Sequence, residues 1–71
     1  MTKITEGDTV AWDWGDGTAQ GTVQSSFAEK TTRTIKGTEV TRNGSKDDRA
    51  LYIEQEDGDN VLKLASEVRK A

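Results

Sequence analysis

The chain has no cysteine and no histidine. The first absence removes disulfides, thiol nucleophiles and thiolate metal sites. The second removes the commonest metal ligand and the usual proton shuttle near neutral pH. Most hydrolytic and metal chemistries therefore have no candidate residues, and the expectation is a protein that is not an enzyme and holds no cofactor. Proline is missing too, and the aromatic stock is only Trp12, Trp14, Phe27 and Tyr52. No apolar run approaches the length of a membrane span or of the apolar stretch in a signal peptide. A soluble, cytoplasmic protein is expected.

What is present points to β-structure. The 71 residues include ten Thr, five Val and three Ile, all β-branched and suited to a pleated strand. Seven glycines are spread along the chain as turn candidates. This length predicts one domain, residues 1–71, with an ordered core over about 7–70. A chain this short buries only about 60% of its unfolded surface, so its core is thin. The formal charge of −3 weighs against nonspecific nucleic-acid binding, but it is unevenly distributed. Residues 30–46 balance to +4 and the remainder to −7. Either a basic finger stands on an acidic body, or two solvated faces attract each other within one domain. The second reading is preferred.

Alternation of side chains predicts five short strands. "TVAWDW" puts Val10, Trp12 and Trp14 on one face, and "GDG" at 15–17 closes a hairpin. The second strand begins near Ala19, with Gly21, Val23, Ser25 and Phe27 on one side. Gly21 leaves room for a large ring or a bend. Ile35 and Val40 are five apart and would face opposite sides of an unbroken strand. A two-residue turn at Lys36-Gly37 puts them on one face, pairing Ile35 with Thr38 and Arg33 with Val40; a bulge at Gly37 is the alternative. The hairpin is preferred, because it makes one long second strand. "ALYIEQ" and "VLKL" follow as the fourth and fifth strands, and Ser66 caps one helical turn near the end. Five antiparallel strands with glycine bends predict an all-β fold, a small SH3-like or Tudor-like barrel with a short C-terminal helical turn. Val68 would plug one end of it.

The ordered set "GDTVAWDWGDGTAQGTV", "RTIKGTEVTRNGS" and "YIEQEDGDNVLKLASEVRK" resembles the Tudor domain of hypervirulence-associated proteins. The resemblance runs from about Gly7 to Lys70. It implies a small Tudor-like barrel, often a stand-alone bacterial protein, and no catalytic activity. Members often carry a proline just before the fourth strand; here Arg49 stands there.

Three functional readings are weighed. In the leading one, a non-catalytic module binds a protein or peptide at the barrel rim, through Trp14, Asp16 and Tyr52. Trp12 and Phe27 are read as core, which leaves at most two free rings and no complete aromatic cage for a cation. In the second, Lys30, Arg33, Lys36 and Arg42 bind nucleic acid weakly; no aromatic lies between residues 28 and 51 to stack on bases, so it is not favoured. In the third, an exposed strand edge makes a structural homo-oligomer of a chain that is otherwise a monomer. Asp13, Asp16, Asp57 and Asp59 lack the alternating register and distal Glu of a calcium loop, so no metal is expected. "GDGTAQG" lacks the lysine and following helix of a phosphate loop.

Overall fold

The structure, a computed structural model, describes residues 4–71. Its strands are β1 (Thr9–Trp14), β2 (Gly17–Phe27), β3 (Lys30–Ile35), β4 (Thr38–Asn43), β5 (Ala50–Gln55), β6 (Asn60–Leu64) and β7 (Arg69–Lys70). One 3-10 turn, η1 (Ala65–Glu67), lies between β6 and β7. All pairings are antiparallel. Five strands form one sheet in the order β6-β5-β2-β1-β7, and β3 and β4 form a second.

The expected β1 is observed, and so is the Lys36-Gly37 hairpin. Arg33 pairs with Val40 and Ile35 with Thr38. Both turn residues have positive φ, 50° and 77°, as a tight hairpin with the twist of its flanking strands requires. Gly21, expected to leave room for a large ring or a bend, instead makes room for β5. A Cβ there would lie 2.5 Å from Ile53 Cγ2 and 2.7 Å from the Glu54 carbonyl oxygen, so β2 and β5 approach too closely for a side chain.

The five-strand count and the long second strand need correction. The chain leaves the sheet at Ala28-Glu29, where the Thr31 hydroxyl donates to the Glu29 carbonyl at 2.9 Å. β3 and β4 therefore stand apart as their own hairpin, and β5 takes the edge of β2. A bulge between Val23 and Ser25 adds a second correction. The extra residue inverts the alternation, so Ser26 pairs with Leu51 and Phe27 with Ala50. Phe27 thus leaves the core face expected of it and is half-buried, with the Arg33 guanidinium 4.7 Å from its ring centre. The helical turn is present, but the chain continues into β7, which pairs Lys70 with Val10 and Arg69 with Ala11.

Connectivity requires the main sheet to curl. β6 and β7 are its opposite edges, joined only by residues 65–68. Across a flat sheet those edges would lie about 19 Å apart, at roughly 4.8 Å per strand spacing. Four linking residues span at most about 17 Å when extended, and a 3-10 turn rises only about 2 Å per residue. The curl encloses Val10, Trp12, Val23, Leu51 and Ile53, with Ile4, Ala19, Val61, Ala65 and Val68 packed against them. The barrel expected from the sequence, closed or half-closed, is not closed by hydrogen bonding, because no ladder joins the two sheets among the described residues. The β3–β4 hairpin, made separate by the break at Ala28-Glu29, packs against β6 and is also bridged to the rest by two ion pairs. Lys36 Nζ lies 2.9 Å from Asp59, and Arg42 Nε lies 3.3 Å from Glu67.

Polar ties fix the ends of the curl. The Asp48 carboxylate accepts from the Ser66 N–H and hydroxyl, each at 2.8 Å, and so binds the 44–49 loop to η1. Ser66 is therefore a donor within the turn rather than its cap. Near the start, the Asp8 carboxylate accepts the Thr5 N–H at 2.9 Å, with the Lys70 ammonium 3.4 Å away. That hydrogen bond, reinforced by Lys70, holds the Asp8 carboxyl below its ordinary value. The ionised form is favoured by folding, so its contribution is present above the unfolded carboxylate range and is lost as pH falls through the lowered folded value. Acid titration of the melting temperature should therefore show a decline beginning below about pH 4, and Asp8→Asn should flatten it. An unchanged acid limb in that variant would remove Asp8 from the account.

Candidate binding cleft

Trp12 and Trp14 share a face of β1 but not an environment. Trp12 is opposite Ala19, inside the core, and is 2% exposed; the Lys63 ammonium stands 5.9 Å from its ring centre. Trp14 is opposite Gly17, which has no side chain to cover an indole. The chain turns at once through Gly15, φ 57°, and Asp16. Trp14 is 73% exposed and is the only large exposed hydrophobic among the described residues. The unequal pair follows from its cross-strand partners.

An open cleft of about 450 Å³ lies beside Trp14. Trp14, Ala19, Ile35 and Val61 supply its apolar lining, and Lys36, Gln55, Asp57, Asp59 and Asn60 its polar part. A smaller hollow of about 210 Å³ shares Trp14, Ile35 and Val61, and extends to Val40, Leu62 and the edge of Trp12. Three elements build this place. The β1–β2 tip presents Trp14, β6 presents Val61, and the inward face of the β3–β4 hairpin presents Ile35 and Val40. Because the β3–β4 hairpin and β6 share no ladder, the space beside them is not filled by a strand.

The residues expected to form a rim site are not all brought together. Asp16 is exposed in the turn next to Trp14 but does not line the cleft. Tyr52 is half-buried on β5, level with Ser25 of β2. Trp14 is level with Gly17, eight residues away along β2, or roughly 26 Å at about 3.3 Å per residue. The two open rings thus cannot grip one small group.

The basic residues are also dispersed. Arg33 lies over Phe27, Arg42 pairs with Glu67, and Lys36 pairs with Asp59, all within the chain. Register places Thr31, Arg33, Ile35, Val40 and Arg42 on the inward hairpin face, whereas Lys30 is on the solvent face. The attraction between a basic hairpin and an acidic body is thus used internally. Ile35, Val40 and Val61 were not singled out as site residues in the sequence. The parity of Ile35 with Val40 was the available signal, because two apolar residues on one face of a hairpin must cover something.

A curled antiparallel sheet, a separate hairpin and an exposed tryptophan beside a cleft make this a small all-β domain. The chain belongs to the family described as the hypervirulence associated proteins TUDOR domain, whose profile matches residues 7–68. Domains of this kind are generally non-catalytic binding modules. No curated protein and no solved structure matches the chain.

Proposed function

We propose that this domain binds an extended segment of a partner protein in the Trp14 cleft and catalyses nothing. In this reading the β3–β4 hairpin completes, by side-chain packing, the Tudor-like barrel that the curled sheet leaves open. The cytoplasmic location expected from the sequence goes with it, as does the first of the two expected states, a monomer or a weak homo-oligomer. One observation carries the proposal. A thin domain that needs apolar area for its core leaves the Trp14 indole largely exposed, beside a cleft lined by Ala19, Ile35 and Val61. Binding energy concentrates on such aromatic anchors.

The test uses a displayed peptide library selected on the wild-type chain. Selected peptides should lose at least about ten-fold in affinity for Trp14→Ala, since anchor truncations cost upwards of about 1–2 kcal/mol. The same variant should melt close to wild type, because surface changes usually stay within about 0.5 kcal/mol. Peptides that bind Trp14→Ala as tightly as wild type would place the binding surface elsewhere.

A further inference from the structure

The two turns that flank the cleft share an electrostatic character. Residues 13–17 and 54–60 carry Asp13, Asp16, Glu54, Glu56, Asp57 and Asp59, and neither segment holds a lysine or arginine. Register brings the segments to one end of the sheet. Gly21 of β2 is level with Gln55 of β5, and β2 runs on past it toward Gly17. Asp57 and Asp59 line the Trp14 cleft itself.

One cation already stands against this wall. The Lys36 ammonium, delivered by the β3–β4 turn, lies 2.9 Å from Asp59 and lines the same cleft. The Lys36 pKa is raised, first by its hydrogen bond to Asp59, then by the Asp59 charge, and further by Asp57. One carboxylate is thus matched from the hairpin, and Asp13 has Arg69 at 3.4 Å. Asp57 has no cation within ion-pair distance among the described residues and is exposed. The exposed indole beside it offers a ring face to a cation.

From this charge pattern we infer that the segment taken by the Trp14 cleft is cationic: an extended stretch in which arginine or lysine alternates with short aliphatic residues. Its aliphatic side chains rest on Ala19, Ile35 and Val61. A guanidinium or ammonium lies between Trp14 and Asp57, as the Lys36 ammonium lies against Asp59. Alternation suits the site because an extended chain sends successive side chains to opposite sides. An uncharged segment would cover Asp57 without matching its charge, and a polyanion would meet a wall of its own sign. The inference rests on the Trp14 cleft as the binding surface and names the chemistry of its occupant.

The experiment measures binding of three nine-residue peptides by calorimetry and by the shift of the Trp14 indole N–H resonance. One alternates arginine with valine; in the others glutamine or glutamate replaces arginine. A single-stranded oligonucleotide is the fourth ligand. The proteins are wild type, Trp14→Ala and the double variant Asp16→Asn with Asp57→Asn. The amide oxygen at position 57 can still accept the Asp59 N–H that the carboxylate accepts at 2.9 Å. The arginine peptide should bind wild type and weaken about ten-fold or more in each variant, and again on raising salt from about 50 to 500 mM. The glutamine peptide should bind about ten-fold more weakly and the glutamate peptide not at all. Equal binding of the arginine and glutamine peptides, both dependent on Trp14, would overturn the charge inference and leave the cleft standing. Arginine-peptide binding that ignores Trp14→Ala would overturn both readings. Failure of every peptide to bind, oligonucleotide binding at Trp14, or Trp14-dependent self-association in sedimentation would each overturn the cationic occupant.

Discussion

Replacing Trp12 by alanine is expected to leave the chain unfolded or nearly so at room temperature. The indole is enclosed with Val10, Val23, Leu51 and Ile53, and those five form the central buried cluster among the described residues. An aromatic of this size buries about 150–250 Å², and truncating it to alanine costs roughly 3–5 kcal/mol. A single-core domain of this length has little more than that to lose. Lys63 adds to the effect, because its ammonium rests over the same ring. Chemical denaturation of the variant should show a midpoint close to zero denaturant. A midpoint near that of wild type would mean that the core is not centred on Trp12.

The second large effect is expected at Gly44. A Cβ at this position would lie 2.6 Å from the Phe27 carbonyl oxygen, 2.8 Å from the Ala50 nitrogen and 2.8 Å from the Glu29 carbonyl oxygen. All three are backbone atoms, from the end of β2, the β2–β3 bend and the start of β5. None can rotate away as a side-chain tip would. Forcing a methyl group into well-packed surroundings costs roughly 1–3 kcal/mol, and backbone on three sides puts Gly44→Ala at the upper end of that range. In a domain of this size about 1 kcal/mol shifts the melting temperature by roughly 4–8 °C, so a fall of ten degrees or more is expected. Gly37→Ala is the comparison. It meets no atom within 4 Å and suffers only from its positive φ. If Gly44→Ala proved the milder change, the β2–β5 junction would not be as close as described.

Why these two positions differ in legibility is instructive. Trp12 could be assigned to the core from the sequence, because alternation places it between Val10 and Trp14 and a domain this thin needs the area a tryptophan buries. The turn at Lys36-Gly37 was legible for the same reason, since parity around Ile35 and Val40 admits few solutions. Gly44 was not legible. Its constraint comes from Phe27, Glu29 and Ala50, and nothing local in "RNGSKDD" signals that three distant backbone segments meet there. The bulge between Val23 and Ser25 was hidden likewise. Gln24 is an ordinary exposed residue, and one inserted position is enough to move Phe27 out of the core.

The candidate site was legible in part. That Trp14 would be open followed from the glycines after it. Whether Tyr52 joins Trp14 was not legible: Tyr52 lies on the outward parity of β5, level with Ser25, eight positions along β2 from the Gly17 opposite Trp14. The true neighbours, Ile35 and Val61, reach Trp14 only because the β3–β4 hairpin folds back along β6. That is a relation between elements, which alternation within a strand does not encode. An attraction between the basic stretch and an acidic body within one domain is the preferred reading of the sequence. Lys36–Asp59 and Arg42–Glu67 are pairs of that kind; which carboxylates they meet was not legible. Each of Arg33, Lys36 and Arg42 finds its partner in another element, and only the assembled fold shows that the charge is spent within the chain.

The central claim is that Trp14 is a presented ring and Trp12 a structural one. Acrylamide quenching of two single-tryptophan variants tests it most directly, with Trp12→Phe reporting on Trp14 and Trp14→Phe reporting on Trp12. In Trp12→Phe the emission should be red-shifted and readily quenched, and a saturating library-selected peptide should shield it. In Trp14→Phe the emission should be blue-shifted and protected with or without peptide. Equal protection of the two indoles, or a Trp14 signal that saturating peptide leaves untouched, would contradict the account.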